Sequence, residues 1–379
     1  MQNTQDFDVI VLGAGMAGAS VAAELAASAR VLLVEMEDQP GRHTTGRSAA
    51  MFFESYGNPV VRALTRASRH FLLEPPADIA EVPLMHRRDA FIVAGADSLA
   101  AVAEMEAGAA GEGNPRRVAP ADVLARCPIL RPDRVAAALI DDSGHDIDVA
   151  ALHQGWLRRL RQRGGAIVLD AGPAQLQRCG SGWSVQGRQG RWQALRVVNA
   201  TGAWADEVAA QAGVPRIGLQ PKRRTAVMLP APEGHDIRGW PLVSDIHETC
   251  YFKPDAGQLL LSPANEDDSP PCDAAPEELD IALAAHRFEE MTIIPVRRIL
   301  HRWAGLRTFA PDRSPVVGYD PAAEGLFWFA GQGGYGIQMA PAMARAGAAL
   351  ALGQALPPDI AAQGVTAEAL SPARLRTTA

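Results

Sequence analysis

The sequence predicts an α/β protein in which a discontinuous Rossmann-like domain is interleaved with a second domain built on a mixed or antiparallel sheet with flanking helices. Three features predict it. The chain opens on a strand, a glycine turn, a small-residue helix and a second strand; residues 221–309 read as a succession of strands; and a buried-type strand near the end runs into a cluster of glycines and then a helix. At 379 residues the chain exceeds the usual size of one hydrophobic core.

Residues 7–12 form a short apolar run ending at Gly13, residues 17–27 have helical character with small side chains, and residues 30–35 return to strand. Residues 58–73 have helical periodicity with Pro59 in the first turn, where its missing N–H is harmless, and residues 89–94 read as a strand. Helical spacing returns over 149–163 and stops at Gly164-Gly165. Strands at 166–169, 174–178, 183–187 and 195–199 then resume the first sheet. Strands at 225–229, 250–254 and 258–261, with one helix over 277–290, build the second sheet. Finally the strand 326–330 precedes Gly331, Gly333, Gly334 and Gly336, and a helix begins at Ile337. The expected division is residues 1–50, 148–216 and 312–379 for the Rossmann-like domain, with 51–147 and 217–311 forming the other.

Composition narrows the function classes. With 36 basic against 43 acidic residues the net charge is −7, and no run of Lys or Arg forms a stripe, which argues against a nucleic-acid partner. Cys127, Cys179, Cys250 and Cys272 lack C-x-x-C spacing, and the nine histidines show no metal-ligand pattern, so no metal is expected. Residues 1–8 lack a basic segment followed by an apolar one, from which a cytoplasmic location with reduced thiols is expected. The apolar stretch 340–356 is Ala-rich and broken by Arg345, which reads as a packed helix rather than an integral membrane segment, with peripheral membrane contact left open.

Gly13-Ala14-Gly15-Met16-Ala17-Gly18 fits G-x-G-x-x-G between a strand and a helix, where glycines let backbone amides and a helix N-terminus meet a pyrophosphate. Glu35 falls at the end of the second strand, about 20 residues on, where a carboxylate accepts hydrogen bonds from an adenosine ribose. That pattern does not separate FAD from NAD. Thr45-Gly46-Arg47-Ser48 and the cluster Gly331-Gln332-Gly333-Gly334-Tyr335-Gly336-Ile337-Gln338 point to flavin.

At these motifs the sequence resembles the D-amino acid oxidase superfamily of FAD enzymes, and within it the bacterial D-arginine dehydrogenases. The resemblance extends over nearly the whole chain. It rests on the fingerprint, on His43-Thr44-Thr45-Gly46-Arg47-Ser48-Ala49-Ala50, on Leu219-Gln220-Pro221-Lys222-Arg223-Arg224, on Tyr251-Phe252-Lys253-Pro254-Asp255-Ala256-Gly257, on Trp303-Ala304-Gly305-Leu306-Arg307 and on the last glycine cluster. It implies non-covalent FAD in the Rossmann-like domain, with Ala49, Ala200, Gly202 and Trp204 joining the cofactor-binding residues, and a substrate site in the other. His43 reads as structural support on the cofactor side.

By the same resemblance Arg307 and Arg224 pair with a substrate carboxylate, the planar guanidinium fork suiting that anion. Salt bridges within the second sheet are the alternative for both. Tyr56 on a covering loop and Tyr251 on the sheet match tyrosines near the substrate, against the alternative of core packing. The implied reaction is hydride transfer from the α-carbon of a D-amino acid to flavin N5, giving an imino acid that hydrolyses to a 2-oxo acid and ammonia. The Gly305 carbonyl is a candidate amine acceptor, and the glycine cluster with its helix is a countercharge for reduced flavin.

Relatives that take basic substrates need an acid at the distal end of the pocket. Ala90, rather than Asp89, falls at the inward position here, and Met51 stands where a polar group could help, so the pattern suits an apolar or aromatic side chain better than a basic one. Oxidation of a secondary amine or a 2-hydroxy acid, and a flavin electron carrier or sensor, are the rival functions. The electron acceptor, whether quinone, transfer chain or oxygen, is left open.

Overall fold

The computed structural model describes residues 5–109 and 114–376. The expectation drawn from the chain start rests partly on residues 1–4, outside the described residues. Two large sheets, of eight and ten strands, and a small one of three organise the fold.

In the eight-stranded sheet Gln5–Leu12 lies centrally, parallel to Val31–Val34 on one side and Gly190–Asn199 on the other. Ala166–Val168 extends it beyond Val31–Val34, and Leu326–Ala330 pairs in parallel with the end of Gly190–Asn199. Alternate side chains enter opposite cores: Val9 and Val11 meet the helices Met16–Leu25, Pro59–Leu73 and Ala340–Ala351, while Ile10 and Leu12 pack with Trp183, Trp192 and Trp328. Burial on both faces explains the continuous apolar runs in the sequence. Leu12 is in register with both Val34 and Asn199, and Asn199 with Trp328, so four parallel strands end along one edge. The residues that follow them, Gly13, Glu35, Ala200 and Gly331, all line one cavity. This is the crevice at the carboxyl ends of an open sheet, where such folds place ligands.

The second sheet runs from His301–Phe309 through Gln220–Leu229, Gln258–Ser262, Tyr251–Asp255, Leu242–Asp245, Ala90–Ala94 and Ala137–Asp141 to Arg116–Val118. It is mixed, because Leu242–Asp245 and Ala90–Ala94 are parallel. Helix Glu278–Met291 covers one face through Phe288, packed edge-on against Phe252.

The structure departs from the sequence expectations in several places. The helix after the glycine cluster begins at Ala340, not Ile337: the cluster first forms a two-residue strand, Gln332–Gly333, paired with Thr308 and Phe309, and then turns. Helix Pro59–Leu73, grouped with the second domain by position, packs on Ala340–Ala351 and shares the first sheet's core. The short strands Arg116–Val118, Ala137–Asp141 and His145–Ile147 were not expected. Gly190–Asn199 starts five residues before the expected 195, since its first half pairs with the hairpin strand Gly182–Gly187. Ala340–Ala351 is almost wholly buried, and among the described residues no helix is long and apolar enough to cross a membrane.

Candidate active site

A cavity of about 530 Å³ runs from the edge of the first sheet to the face of the second. Its two ends are made of different material.

At the first end the backbone does the work. Gly13 has φ +94°, and a Cβ on it would come 2.6 Å from the Ala200 carbonyl oxygen. A Cβ on Gly18 would lie 1.7 Å from the Gly13 carbonyl oxygen, so this glycine serves the strand–helix contact and does not itself line the cavity. The first-turn amides of Met16–Leu25 have no helical partners, and no side chain of the Gly15 cap takes them. Met16 N–H donates to Thr45 Oγ1 at 2.9 Å, and Ala14 N–H to Glu35 at 2.6 Å. Glu35 also accepts Glu37 N–H at 3.0 Å, and burial pushes its carboxyl above the ordinary range while the Ala14 and Glu37 amides pull it back. Its remaining lone pairs suit a diol such as a ribose.

The 41–50 loop joins the two sheets. Thr44 Oγ1 donates to the Leu306 carbonyl at 2.7 Å, and Trp303 Nε1 to the Arg47 carbonyl at 2.9 Å. Arg47 donates to the Ala274 and Ala304 carbonyls and pairs with Asp273, so its guanidinium braces the second sheet and only the rest of the residue is left to face a cofactor. Gly46 stays out of the lining, its N–H closing the loop onto the Gly41 carbonyl at 2.8 Å. Ala49 lines the cavity, as does Ser48, whose hydroxyl accepts Ala50 N–H. His43 holds Glu37 at 2.9 Å and packs on Trp204, which with Gly202 lines the same wall. Sequence reasoning missed His153, whose Nε2–H donates to the Ala14 carbonyl at 2.9 Å from helix Val149–Gln162. Burial holds its pKa below the ordinary value against that hydrogen bond.

At the second end side chains take over. Arg224 is opposite Gly305 across the strand pair, which puts Arg307, two residues on from Gly305, on the same face. Arg307 is 8% exposed; its Nη2 donates to the Tyr56 hydroxyl at 3.0 Å and its Nη1 to Glu266 at 2.7 Å. Burial alone would lower its pKa, but Tyr56 and Glu266 carry it above the ordinary value. The guanidinium packs under Gly334, where a Cβ would fall 1.8 Å from Nη2. Arg224 donates Nε–H to the Asn265 carbonyl at 2.8 Å and Nη2–H to Glu266 at 3.3 Å. Tyr335 does not line the cavity: it packs edge-on beneath Tyr56 and against Phe309. The Gln338 amide binds Phe53 N–H at 3.2 Å and Thr65 Oγ1 at 2.9 Å, which spends its polar atoms on the protein.

The wall beyond the arginines includes Met51, Phe53, Ala90, Ile92, Leu242 and Tyr251. Asp89 is turned away, paired with Arg87 at 3.1 Å and Arg126 at 2.9 Å. A second residue missing from the sequence reading is Asp141, directly across the sheet from Ala90. It lines the cavity, yet its oxygens are taken by Ser55 and by Ser143. No group of three or more His, Cys, Asp or Glu placed to hold a metal occurs among the described residues.

These residues fit a flavin dinucleotide: a glycine-walled end with helix amides and a ribose-type acceptor, and a glycine cluster, Gly331, Gly333, Gly334, Gly336 and Ile337, lining the passage to the arginines. The buried Gln332 amide nitrogen in that passage has no partner in the protein and is a donor for a ligand carbonyl.

Comparison with known proteins agrees. The mitochondrial dimethylglycine dehydrogenase of Mus musculus is 26% identical over 230 residues, which is 55% of this chain but 26% of that protein, so the chain matches about a quarter of that relative. The N-methyl-L-tryptophan oxidase of Salmonella enteritidis PT4 (strain P125109) is 24% identical over 372 residues, covering 92% of this chain and 95% of that one. The crystal structure of iminodiacetate oxidase from Chelativorans sp. BNC1 shares the fold with a TM-score of 0.81 at 22% identity, covering 96% and 98% of the two chains. The sequence profile described as FAD dependent oxidoreductase matches residues 8–350, and with most of its length so matched this chain belongs to the FAD-dependent oxidoreductase family.

Proposed function

We propose that the protein is a dehydrogenase or oxidase of an α-amino acid of D configuration with an apolar or aromatic side chain. One observation carries the reading: a buried guanidinium, Arg307, pinned by a tyrosine hydroxyl at the cavity end away from the dinucleotide fingerprint, with Arg224 beside it. A carboxylate is the anion that such a pair binds in planar, bidentate geometry. In this reading residues 1–50, 148–216 and 312–379, with helix Pro59–Leu73 packed on them, serve the cofactor, and the rest of 51–147 with 217–311 serves the substrate.

Arg307 and Arg224 hold the carboxylate, and Tyr56 and Tyr251 cover it and keep water away from the α-carbon. The Gly305 carbonyl accepts from the amine, which sheds a proton to solvent before its α C–H bond breaks. FAD, held by the glycine-walled end, would supply the two-electron oxidation of the α-carbon. Water then converts the imino acid to a 2-oxo acid and ammonia. Ala90 and Met51 stand at the side-chain end with Phe53, Ile92 and Leu242, an apolar wall that suits an apolar or aromatic side chain, while the nearby Asp141 accepts from two serines. That departs from D-arginine dehydrogenases, which the motifs otherwise resemble.

A second reading, oxidation of an N-alkylated amino acid, is favoured by the match to N-methyl-L-tryptophan oxidase over 92% of the chain. Anaerobic mixing of the FAD-bound protein with D-, L- and N-methyl amino acids, followed by flavin absorbance, separates the two. Bleaching by apolar D-amino acids is expected; bleaching by N-methyl amino acids alone would move the assignment to secondary amines, and no bleaching by any would remove both.

A further inference from the structure

Three arginines converge on one carboxylate behind the substrate end of the cavity. Glu266 takes Arg307 Nη1 at 2.7 Å and Arg224 Nη2 at 3.3 Å through one oxygen, and Arg313 Nη2 at 3.1 and 3.0 Å through both. The segment that carries it is tied to the arginine strand, since the Asn265 carbonyl accepts Arg224 Nε–H at 2.8 Å and the Asn265 side-chain oxygen accepts Thr225 N–H at 2.9 Å. Ala264, just ahead, lines the cavity with φ +50°. Arg313 differs from the other two: its side chain is 43% exposed and its guanidinium lies 3.9 Å from the centre of the Phe309 ring.

Two guanidiniums facing one pocket would hold any carboxylate tightly, product as well as substrate. A fixed anion on their far side changes that in two ways. It holds both forks in place, and it opposes an arriving carboxylate across a short distance in a medium less polar than water. We infer that Glu266 is an internal counter-ion that sets the carboxylate affinity of the Arg307–Arg224 pair. Arg313, by holding the same carboxylate from the solvent side, sets how much of its charge the pair feels. The inference rests on the reading of that pair as the substrate-carboxylate site.

The sign of the effect separates this role from simple support. Glu266→Gln keeps the size of the side chain and an oxygen acceptor for the arginines but removes the charge. If Glu266 were only a brace, loosening it would weaken anion binding. As a counter-ion, its neutralisation should tighten it.

The test is titration of the FAD-bound protein with benzoate, followed by perturbation of the flavin spectrum. Glu266→Gln is expected to lower the benzoate Kd by about tenfold relative to wild type. Arg313→Gln is expected to raise it by about threefold, an effect that shrinks when combined with Glu266→Gln because Arg313 acts largely through that carboxylate. An unchanged or weaker affinity in Glu266→Gln, with normal wild-type binding, overturns the inference while leaving the carboxylate site standing. If wild type itself does not bind benzoate or acetate, the carboxylate site fails and takes the inference with it. Should Glu266→Gln lose FAD, Arg313→Gln decides alone, and an affinity equal to wild type overturns the proposal.

Discussion

The two ends of the cavity solve the binding problem with different parts of the chain. The dinucleotide end is walled by backbone: Gly13, Gly15 and Ala200 bring main-chain groups against the space, and the side chains that matter, Glu35 and Thr45, hold that backbone in place through Ala14 and Met16. The arginine end is walled by side chains, with Arg307, Arg224 and Tyr56 reaching in from strands and a loop. A backbone site is damaged by adding atoms and a side-chain site by removing them. Substitutions of opposite kind should therefore separate the two ends.

The largest effect is expected from Gly18→Ala. Its Cβ would sit 1.7 Å from the Gly13 carbonyl oxygen, a backbone atom that cannot step aside without moving the fingerprint. Loss of about 3 kcal/mol or more is expected, read as a protein that unfolds at lower temperature and purifies without yellow colour. A variant that keeps its FAD and its Tm would show that the turn is not held as tightly as the contact implies.

Next comes Arg307→Ala, which removes atoms from the other end. The FAD content should stay at wild-type level, while KM for the amino acid substrate rises by about two orders of magnitude, the effect of losing a buried charged hydrogen bond. Equal KM values would take Arg307 out of the substrate site, and loss of FAD would erase the contrast between the ends.

A smaller change is expected at the distal wall. Ala90→Glu supplies the acid that a cationic side chain requires and should raise kcat/KM for basic relative to apolar amino acids by about tenfold. The new carboxylate would face Asp141 across the strand pair, so a loss of about 1 kcal/mol in stability should accompany it. If the substrate ratio does not move, position 90 does not touch the substrate's side chain.

The same contrast explains what could be read in the sequence. The dinucleotide end was legible because its determinants are local: strand, glycines, helix and acid fall within residues 7–35, and each constrains the next. The arginine end was legible only through resemblance to a family, since nothing in a strand sequence says which long side chain faces a cavity. Glu266 and Asp141 escaped because their roles depend on register between distant strands: Arg307 and Glu266 are 41 positions apart, and Arg307 and Tyr56 are 251 apart. Gly334 was expected to present backbone to the cofactor, but its lack of a side chain also makes the room that Arg307 occupies. Arg47 and Gln338 were expected at the cofactor, and both spend their polar groups on joining segments of the protein. Motif membership does not indicate which way such side chains turn.

The smallest effect tests whether the backbone end has a titratable support. His153 donates to the Ala14 carbonyl from a buried position, and burial holds its pKa below the ordinary 6.5. The sign follows from linkage: a base depressed in the folded state contributes its full stability above the ordinary value, where both states are neutral. That contribution is lost as pH falls below it, because the unfolded chain takes up the proton first, and the loss continues down to the depressed folded value. The wild-type Tm should therefore decline as buffer is taken below about pH 6.5, and FAD should be released more readily over the same window. His153→Gln retains a donor for the Ala14 carbonyl but cannot titrate, so its Tm should depend less steeply on pH in that window than wild type. Arg307 and Glu266 remain in the variant and act as the internal control, since any acid sensitivity shared by both proteins belongs to the other end of the cavity or to the surface. Parallel pH profiles for the two proteins would mean that His153 is only a packing residue and that the dinucleotide end rests on its glycines alone.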